Sequence, residues 1–279
     1  MNSEEAKLYS KTRDVQRMSF KLYVQRHLTI DANDRILDVG CGTGDLVYEM
    51  GAIAHSVIGH DISKEMIEVA RRKYQRENVS YEITDIENCL EKFPTWKGSF
   101  NKVVSVHVLH WVKDRKQALR NIYDCLSETG QCFLLVCGPL HQLLGHRKDE
   151  LPHFLENHIK WKQHLKGYQH KMYNHLTLDE NIQLLKLVGF EEVEGFLHTP
   201  CSEMDILSKE QLRDYVRTLV GHVKYVPEQY RSEIVADATD WCYENFPVNQ
   251  RGNRYIGLDI MVFRATKPKW TTHGCEAQQ

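Results

Sequence analysis

The stretch Ile36-Leu37-Asp38-Val39-Gly40-Cys41-Gly42-Thr43-Gly44-Asp45-Leu46 limits the possible folds of this chain more than any other. A short apolar run meets glycine at every second position and then passes into a helical pattern. That is the signature of a buried strand entering a helix through a tight turn, where missing β-carbons let the backbone approach a ligand. In open α/β sheets, ligands bind outside the carboxyl ends of the strands, at such turns. If the rhythm recurs downstream, a doubly wound sheet is required.

It does recur. RILDV (35–39), SVIGHD (56–61), VSYEITD (79–85), FNKVVSV (100–106) and QCFLLVCG (131–138) read as strands. Between them, Thr43–Ile53, the stretch from Ser63 as N-cap to Tyr74, and Lys113–Leu126 read as helices, the last with Ala118, Leu119, Ile122 and Leu126 inward. Strands alternating with helices imply parallel pairing. After residue 138 the rhythm breaks for a polar, histidine-rich insertion at 140–175, too long for an ordinary loop. It resumes with a helix at Leu178–Val188 closed by Gly189 and a strand at 190–198. A second insertion at 206–246 holds two helical patterns divided near Pro227. YIGLDIMVFRAT (255–266) alternates enough to be an antiparallel strand. These features predict one domain over 1–266, with an amphipathic N-terminal lid at 1–29, cap insertions at 140–175 and 206–246, and a polar tail at 267–279.

Composition excludes several classes. A formal charge of -2 gives no general attraction to nucleic acid or an anionic membrane. No apolar run approaches the length that spans a bilayer, and the first residues, MNSEEAKLYSKTRDVQ, have no apolar core of a signal peptide. The eight cysteines form no C-x-x-C pair, so a reduced, cytoplasmic chain is expected. His153, His158, His164, His170 and His175 are spaced by five or six, whereas two ligands on one helical face need three or four. No metal site is expected; a partly exposed histidine face is.

Acids recur beside the turn: Asp38 before it, Asp61 after the second strand and Asp85 after the third. A dinucleotide fingerprint would place its third glycine at position 45, which is aspartate. That carboxylate, near a helix N-terminus, would repel a pyrophosphate. S-adenosylmethionine has no phosphate and carries a sulfonium cation, so an acid-lined pocket suits it.

With these motifs the chain resembles the class I S-adenosylmethionine-dependent methyltransferases over about residues 30–266. The resemblance implies a Rossmann-like seven-stranded α/β sheet in the order 3-2-1-4-5-7-6 with the last strand antiparallel. It also implies residue roles. Gly40, Gly42 and Gly44 would pack under the methionine portion, with Cys41 in the same turn, and Asp38 would reach its amino group. Asp61 would chelate the ribose hydroxyls, Ile62 and Met66 would border the adenine, and Asp85 and Ile86 would meet its amino group and ring. Val106 and His107 would complete the wall, and Tyr9 would cover it.

Residues 105–114, SVHVLHWVKD, sit at the same sheet edge after the fourth strand. Two imidazoles and an indole need polar partners when buried, so His107, His110 and Trp111 are candidate acceptor-site residues. L-H-W here, D-I-E after the third strand and LYSKTRDVQ near the N-terminus together resemble the juvenile hormone acid methyltransferase branch. That resemblance implies methyl-ester formation on a small hydrophobic acid such as farnesoic acid, with Gln16 and Trp111 holding its carboxylate. His110 either adds a third hydrogen bond or orients Trp111. Cap residues Phe154, Trp161, Tyr168, Leu219, Tyr225, Trp241 and Tyr243 would line an apolar tunnel. The alternatives are a polar acid such as a tricarboxylate, clamped by Arg147, Lys162 or Arg254, a small amine or phenol served by His107 and His110, and a non-enzymatic sensor of cofactor or lipid.

Overall fold

The computed structural model describes residues 23–145, 147–172, 176–199, 205–206 and 208–269. Tyr9, Gln16 and His175 lie outside the described residues. Nine strands are described: β1 (Arg35–Val39), β2 (Ser56–Asp61), β3 (Val79–Ile83), β4 (Phe100–Val106), β5 (Leu126–His141), β6 (Glu191–His198), β7 (Asp205–Ile206), β8 (Arg254–Tyr255) and β9 (Leu258–Thr266). Seven form one sheet in the order β3-β2-β1-β4-β5-β9-β6. β1 to β5 pair in parallel, and β9 runs antiparallel to both β5 and β6. β9 is the seventh sheet strand in chain order, so this is the 3-2-1-4-5-7-6 winding expected above. β7 and β8 form a separate two-stranded ribbon.

Besides two short helical turns, Gln25–His27 and Cys89–Lys92, the described residues form α1 (Asp45–Met50), α2 (Lys64–Lys73), α3 (Arg115–Cys125), α4 (Leu151–Asn157), α5 (Leu178–Val188), α6 (Lys209–Leu219), α7 (Gly221–Tyr225) and α8 (Arg231–Asn245), which flank the strands or build the cap. Strand residues alternate between two apolar layers, as a pleat covered on both faces requires. Ile36, Val104 and Phe133 meet Val47 of α1 and Ile67 of α2 on one face. On the other, Leu37, Val103 and Leu134 meet Leu119 and Ile122 of α3 and Leu185 of α5. Cap residues Leu212, Val216, Ile234 and Ala238 belong to the first layer, so the cap shares the sheet's core.

Local signals set the helix ends. Ser63 accepts from Met66 N at 3.3 Å, and Thr177 and Glu180 form a reciprocal capping box on α5. α1 is shorter than the 43–53 pattern suggests, because left-handed Gly44 stands at its N-cap and Gly51 at its end. β5 is longer than 131–138, since pairing on both flanks, from Leu126 with Phe100 to His141 with Leu258, extends its ladder. At the outer edge of β3, Arg71 Nε donates to Tyr81 O at 3.1 Å and Lys92 Nζ to Ile83 O at 2.6 Å.

The cap aromatics form the cap's own packing. Trp161 is fully buried with its indole N–H on Asp237 Oδ2 at 2.9 Å, and Phe154 stacks on Trp241 at 5.2 Å. His158 packs on Phe154 and His164 on Tyr230. His153, His158, His164 and His170 are each partly exposed, as expected, and His158, His164 and His170 also pack their rings into aromatic clusters.

Candidate active site

The carboxyl ends of β1, β2, β3 and β4 surround a cavity of about 620 Å³, a size common among small-molecule sites. Its floor is the glycine turn. Gly40 N and Cys41 N both donate to His60 O, at 2.8 and 2.9 Å, folding the turn back over β2. Gly40 has φ +73°, and a β-carbon there would lie 2.3 Å from Val108 Cγ2, so the loop after β4 closes directly onto it. Asp61 brackets the turn: its carboxylate accepts from Gly42 N at 3.0 Å and from Ser63 N at 2.8 Å.

The next wall follows β3. Asp85 Oδ1 accepts from Glu87 N at 3.0 Å, and Asn121 of α3 donates to Ile86 O and Glu87 O at 2.6 and 2.8 Å. The loop that would meet an adenine is thus pinned by a buried amide. Ile62 forms the exposed lip, and Met66 lies beneath it.

The third wall follows β4. His107 keeps its ladder bond to Leu135 O at 2.9 Å while its backbone turns left-handed at φ 60°. For a non-glycine residue that conformation is strained, and such strain clusters at functional sites. A 3₁₀ turn, Leu109–Trp111, comes next. His110 is buried behind it; its Nδ1 accepts from Cys137 N at 3.4 Å, which leaves the ring proton on Nε2, 3.6 Å from Cys137 Sγ. Burial, with His107, His141 and Arg115 nearby, holds this imidazole well below the usual histidine range, so it is neutral. Burial also pushes the Cys137 thiol up to about 12, so it stays protonated. The Trp111 ring leans on His110 at 5.2 Å and is 37% exposed at the cavity wall.

The structure gathers Gly40, Gly42, Asp61, Ile62, Met66, Asp85, Ile86, Val106, His107 and Trp111 around one cavity. Four other expected residues lie behind that wall. Asp38 is buried within β1, beside Gly59 and Val104. Cys41 faces Gly59, and a β-carbon on Gly44 would meet Tyr81 and Ala70 rather than the cavity. His110 supports Trp111 from behind. Of the expected tunnel residues, Leu219 reaches the cavity, beside Thr218, whose hydroxyl is taken by Asp214 O of its own helix. His60, Thr84, Glu87 and Lys113 also line it and were not singled out in the sequence. Each lies inside a stretch quoted there, Glu87 as the last residue of D-I-E, and that placement is the signal that would have found them.

The arrangement suits S-adenosylmethionine. The half-buried Asp61 carboxylate at the end of β2 matches a ribose diol, and Gly40, lacking a β-carbon, admits the close Val108 contact that shapes the cavity wall. Of the acids near the turn, Asp61 and Asp85 line the cavity, and Asp38 and Asp45 are buried behind it in β1 and α1.

Comparisons with known proteins agree. Residues 37–134 match the family described as a methyltransferase domain. The juvenile hormone acid O-methyltransferase of Drosophila melanogaster is 31% identical over 240 residues, covering 80% of this chain and 74% of that protein. The chain belongs to the class I S-adenosylmethionine-dependent methyltransferases. A second relative of this methyltransferase, the juvenile hormone acid O-methyltransferase of Bombyx mori, is 27% identical over 217 residues, 73% of this chain and 76% of that one. The fold of the methyltransferase is also that of Haemonchus contortus phosphoethanolamine N-methyltransferase 2, solved with S-adenosyl-L-methionine. There the TM-score is 0.62 at 18% identity, over 96% of this chain and 58% of that one. The methyltransferase is therefore an enzyme that uses S-adenosylmethionine, and the non-enzymatic alternative is set aside.

Proposed function

We infer that this methyltransferase forms a methyl ester on the carboxylate of a small hydrophobic acid of the farnesoic or juvenile hormone acid type. One observation carries the reading. Trp111 lines the cavity, and its indole N–H makes no hydrogen bond to a described residue. An indole N–H is a donor only, and on this partly exposed ring it is free for an acceptor's oxygen. The two relatives named for juvenile hormone acid support the choice of a carboxylate.

A carboxylate is ionised at neutral pH, so no general base is required. That fits His110, the imidazole behind Trp111, which burial keeps neutral and which is engaged with Cys137. When bound, S-adenosylmethionine supplies an electrophilic methyl group. The protein's task is to align the acceptor oxygen with it and to exclude water; orientation of this kind is worth on the order of 7–11 kcal/mol. Trp111 is a neutral donor, and Gln16, outside the described residues, is proposed as the second. Neutral donors fix the carboxylate without withdrawing its charge as a cationic clamp would. His110 sets the plane of Trp111, Leu219 and the Thr218 methyl offer apolar surface, and Tyr9, also outside the described residues, is proposed as a cover.

A polar acid fits less well. Arg147 bonds Asp149 at 3.1 Å and Arg254 bonds Phe246 O at 2.6 Å; neither they nor Lys162 lines the cavity. Lys113 does, but it precedes Asp114, whose N donates to Glu87 Oε1 at 2.9 Å on the proposed adenine side. The described cysteines are all buried thiols, which supports a reducing compartment such as the cytoplasm. No helix among the described residues is long and apolar enough to cross a membrane.

The test is methyl transfer from labelled S-adenosylmethionine to farnesoic acid, a polar tricarboxylic acid and a primary amine. Label in farnesoic acid that mild alkali releases is expected. Label in the amine or tricarboxylate, with none in farnesoic acid, would overturn the reading. Trp111→Phe should raise the KM for the acid while leaving S-adenosylhomocysteine affinity unchanged. With one charged hydrogen bond lost, roughly 1.5–3 kcal/mol, the rise is about 10- to 100-fold.

A further inference from the structure

Trp111 is carried by a turn too short to hold itself. The 3₁₀ turn spans three residues, and no side chain caps it. Its main-chain bonds are Trp111 N to Val108 O at 2.8 Å and Val112 N to Leu109 O at 3.3 Å. A guanidinium supports it from below. Arg115, the first residue of α3, donates to Leu109 O from Nε at 3.3 Å and from Nη2 at 3.2 Å. Its Nη1 donates to Asn181 Oδ1 of α5 at 3.2 Å. Asn181 in turn donates to Leu176 O and Thr177 O at 3.2 and 2.8 Å, which turns its amide oxygen toward Arg115.

Arg115 is only 8% exposed, an uncommon burial for arginine. Burial lowers its pKa to about 10, so it remains a cation at any working pH. The forked donor reaches a turn carbonyl and a neighbouring helix at once, which a lysine ammonium does not reproduce. The seat of α3 does not depend on this fork. Asp114 caps the helix by accepting from Gln117 N at 2.9 Å, and Asp114 N donates to Glu87 Oε1 at 2.9 Å. Positioning and folding are thereby separable.

We propose that Arg115 is a positioning residue for methyl transfer: by clamping the Leu109 carbonyl to α5 it sets the angle at which the Trp111 indole N–H faces the acceptor. The proposal rests on the role given to Trp111 above. It predicts an effect confined to the acceptor side, because Asp61 and Asp85 are held by other bonds.

The experiment compares Arg115→Lys and Arg115→Met, each alone and in a Trp111→Phe background. Alone, Arg115→Met should raise the acceptor KM roughly tenfold and Arg115→Lys about threefold, since hydrogen bonds to charged groups are of that strength. S-adenosylhomocysteine affinity should not move. In the Trp111→Phe background both effects should vanish, because residues that act through one another are not additive. An equal KM rise in both backgrounds, or a parallel loss of S-adenosylhomocysteine affinity, would overturn the proposal.

A second readout needs no acceptor. The chain has five tryptophans, and the indole N–H resonance missing from the Trp111→Phe spectrum identifies Trp111. That resonance should shift in Arg115→Lys while the others stay; if it stays too, the proposal fails. Should the wild type methylate no hydrophobic acid, the substrate reading falls, and the resonance still decides the role of Arg115.

Discussion

Replacing Gly44 with alanine should destabilise the enzyme without altering the cavity wall. Gly44 has φ +85°, and a β-carbon there would lie 2.6 Å from Tyr81 Cε1 and 2.8 Å from Ala70 Cβ. Carbon atoms in contact ordinarily sit about 3.5–4.0 Å apart, so a neighbour must retreat by roughly 1 Å. Tyr81 is poorly placed to do so. It is buried, and its hydroxyl shares its one proton between Tyr74 O at 2.7 Å and Gly44 O at 3.1 Å. A left-handed non-glycine residue costs about 1–2 kcal/mol, and forcing a methyl into a packed core typically costs about 1–3 kcal/mol. Their sum, roughly 2–5 kcal/mol, corresponds to a fall of roughly 4–20 °C in Tm for a chain of this size. Thermal unfolding followed by circular dichroism measures it, alongside S-adenosylhomocysteine affinity of the folded protein at low temperature. A Tm within 2 °C of wild type, by order of magnitude from the same scaling, would refute the packing argument. Gly40→Ala is the contrasting case. Its clash is with Val108, a cavity residue, so it should weaken S-adenosylhomocysteine binding, and Val108→Ala should partly restore it.

Asp61→Asn removes the charge and leaves one oxygen for the two N–H groups of Gly42 and Ser63, so S-adenosylhomocysteine affinity measured by calorimetry should fall about 10- to 100-fold, one to two charged hydrogen bonds. Unchanged affinity would remove Asp61 from the cofactor site. Burial pushes His60 down to about 4 and His141 down to about 3. Both lie below the unfolded value of about 6.5, so the unfolded chain binds more protons between these limits. Stability should therefore be full above pH 6.5 and fall as pH drops toward 4, with each histidine contributing on the order of 3 kcal/mol. Urea unfolding at pH 7 and pH 5 reads this loss, and His141→Phe should flatten it; an equal slope in that variant would refute the assignment.

Much of the fold was legible in the sequence because single strands advertise themselves when both faces are buried. The boundaries of β1, β2 and β4 coincide with apolar runs ended by Gly, Asp or His. Asp61 and Asp85 were legible for the same reason: they follow directly from the strand ends that position them. Gly44 was harder. Spacing puts it in the turn, but which surface its missing β-carbon faces depends on Tyr81, 37 residues away on β3. The cap was least legible. Trp161, Phe154 and Trp241 look equally suited to a tunnel or to a core, and only their mutual contacts across α4 and α8 make them core. Arg115 carries no local signal at all, since its partners come from two other elements.

The cations at the outer margin of β3 have a bearing on how this protein behaves in company. Arg71 and Lys92 occupy the Tyr81 and Ile83 carbonyls that an incoming chain would need for continuing the ladder, a safeguard against sticky, growing assemblies. Replacing both with neutral residues should leave a chain that folds and turns over normally yet clumps on concentration, and anyone grafting a tag or tethering the enzyme to a support should leave that pair untouched.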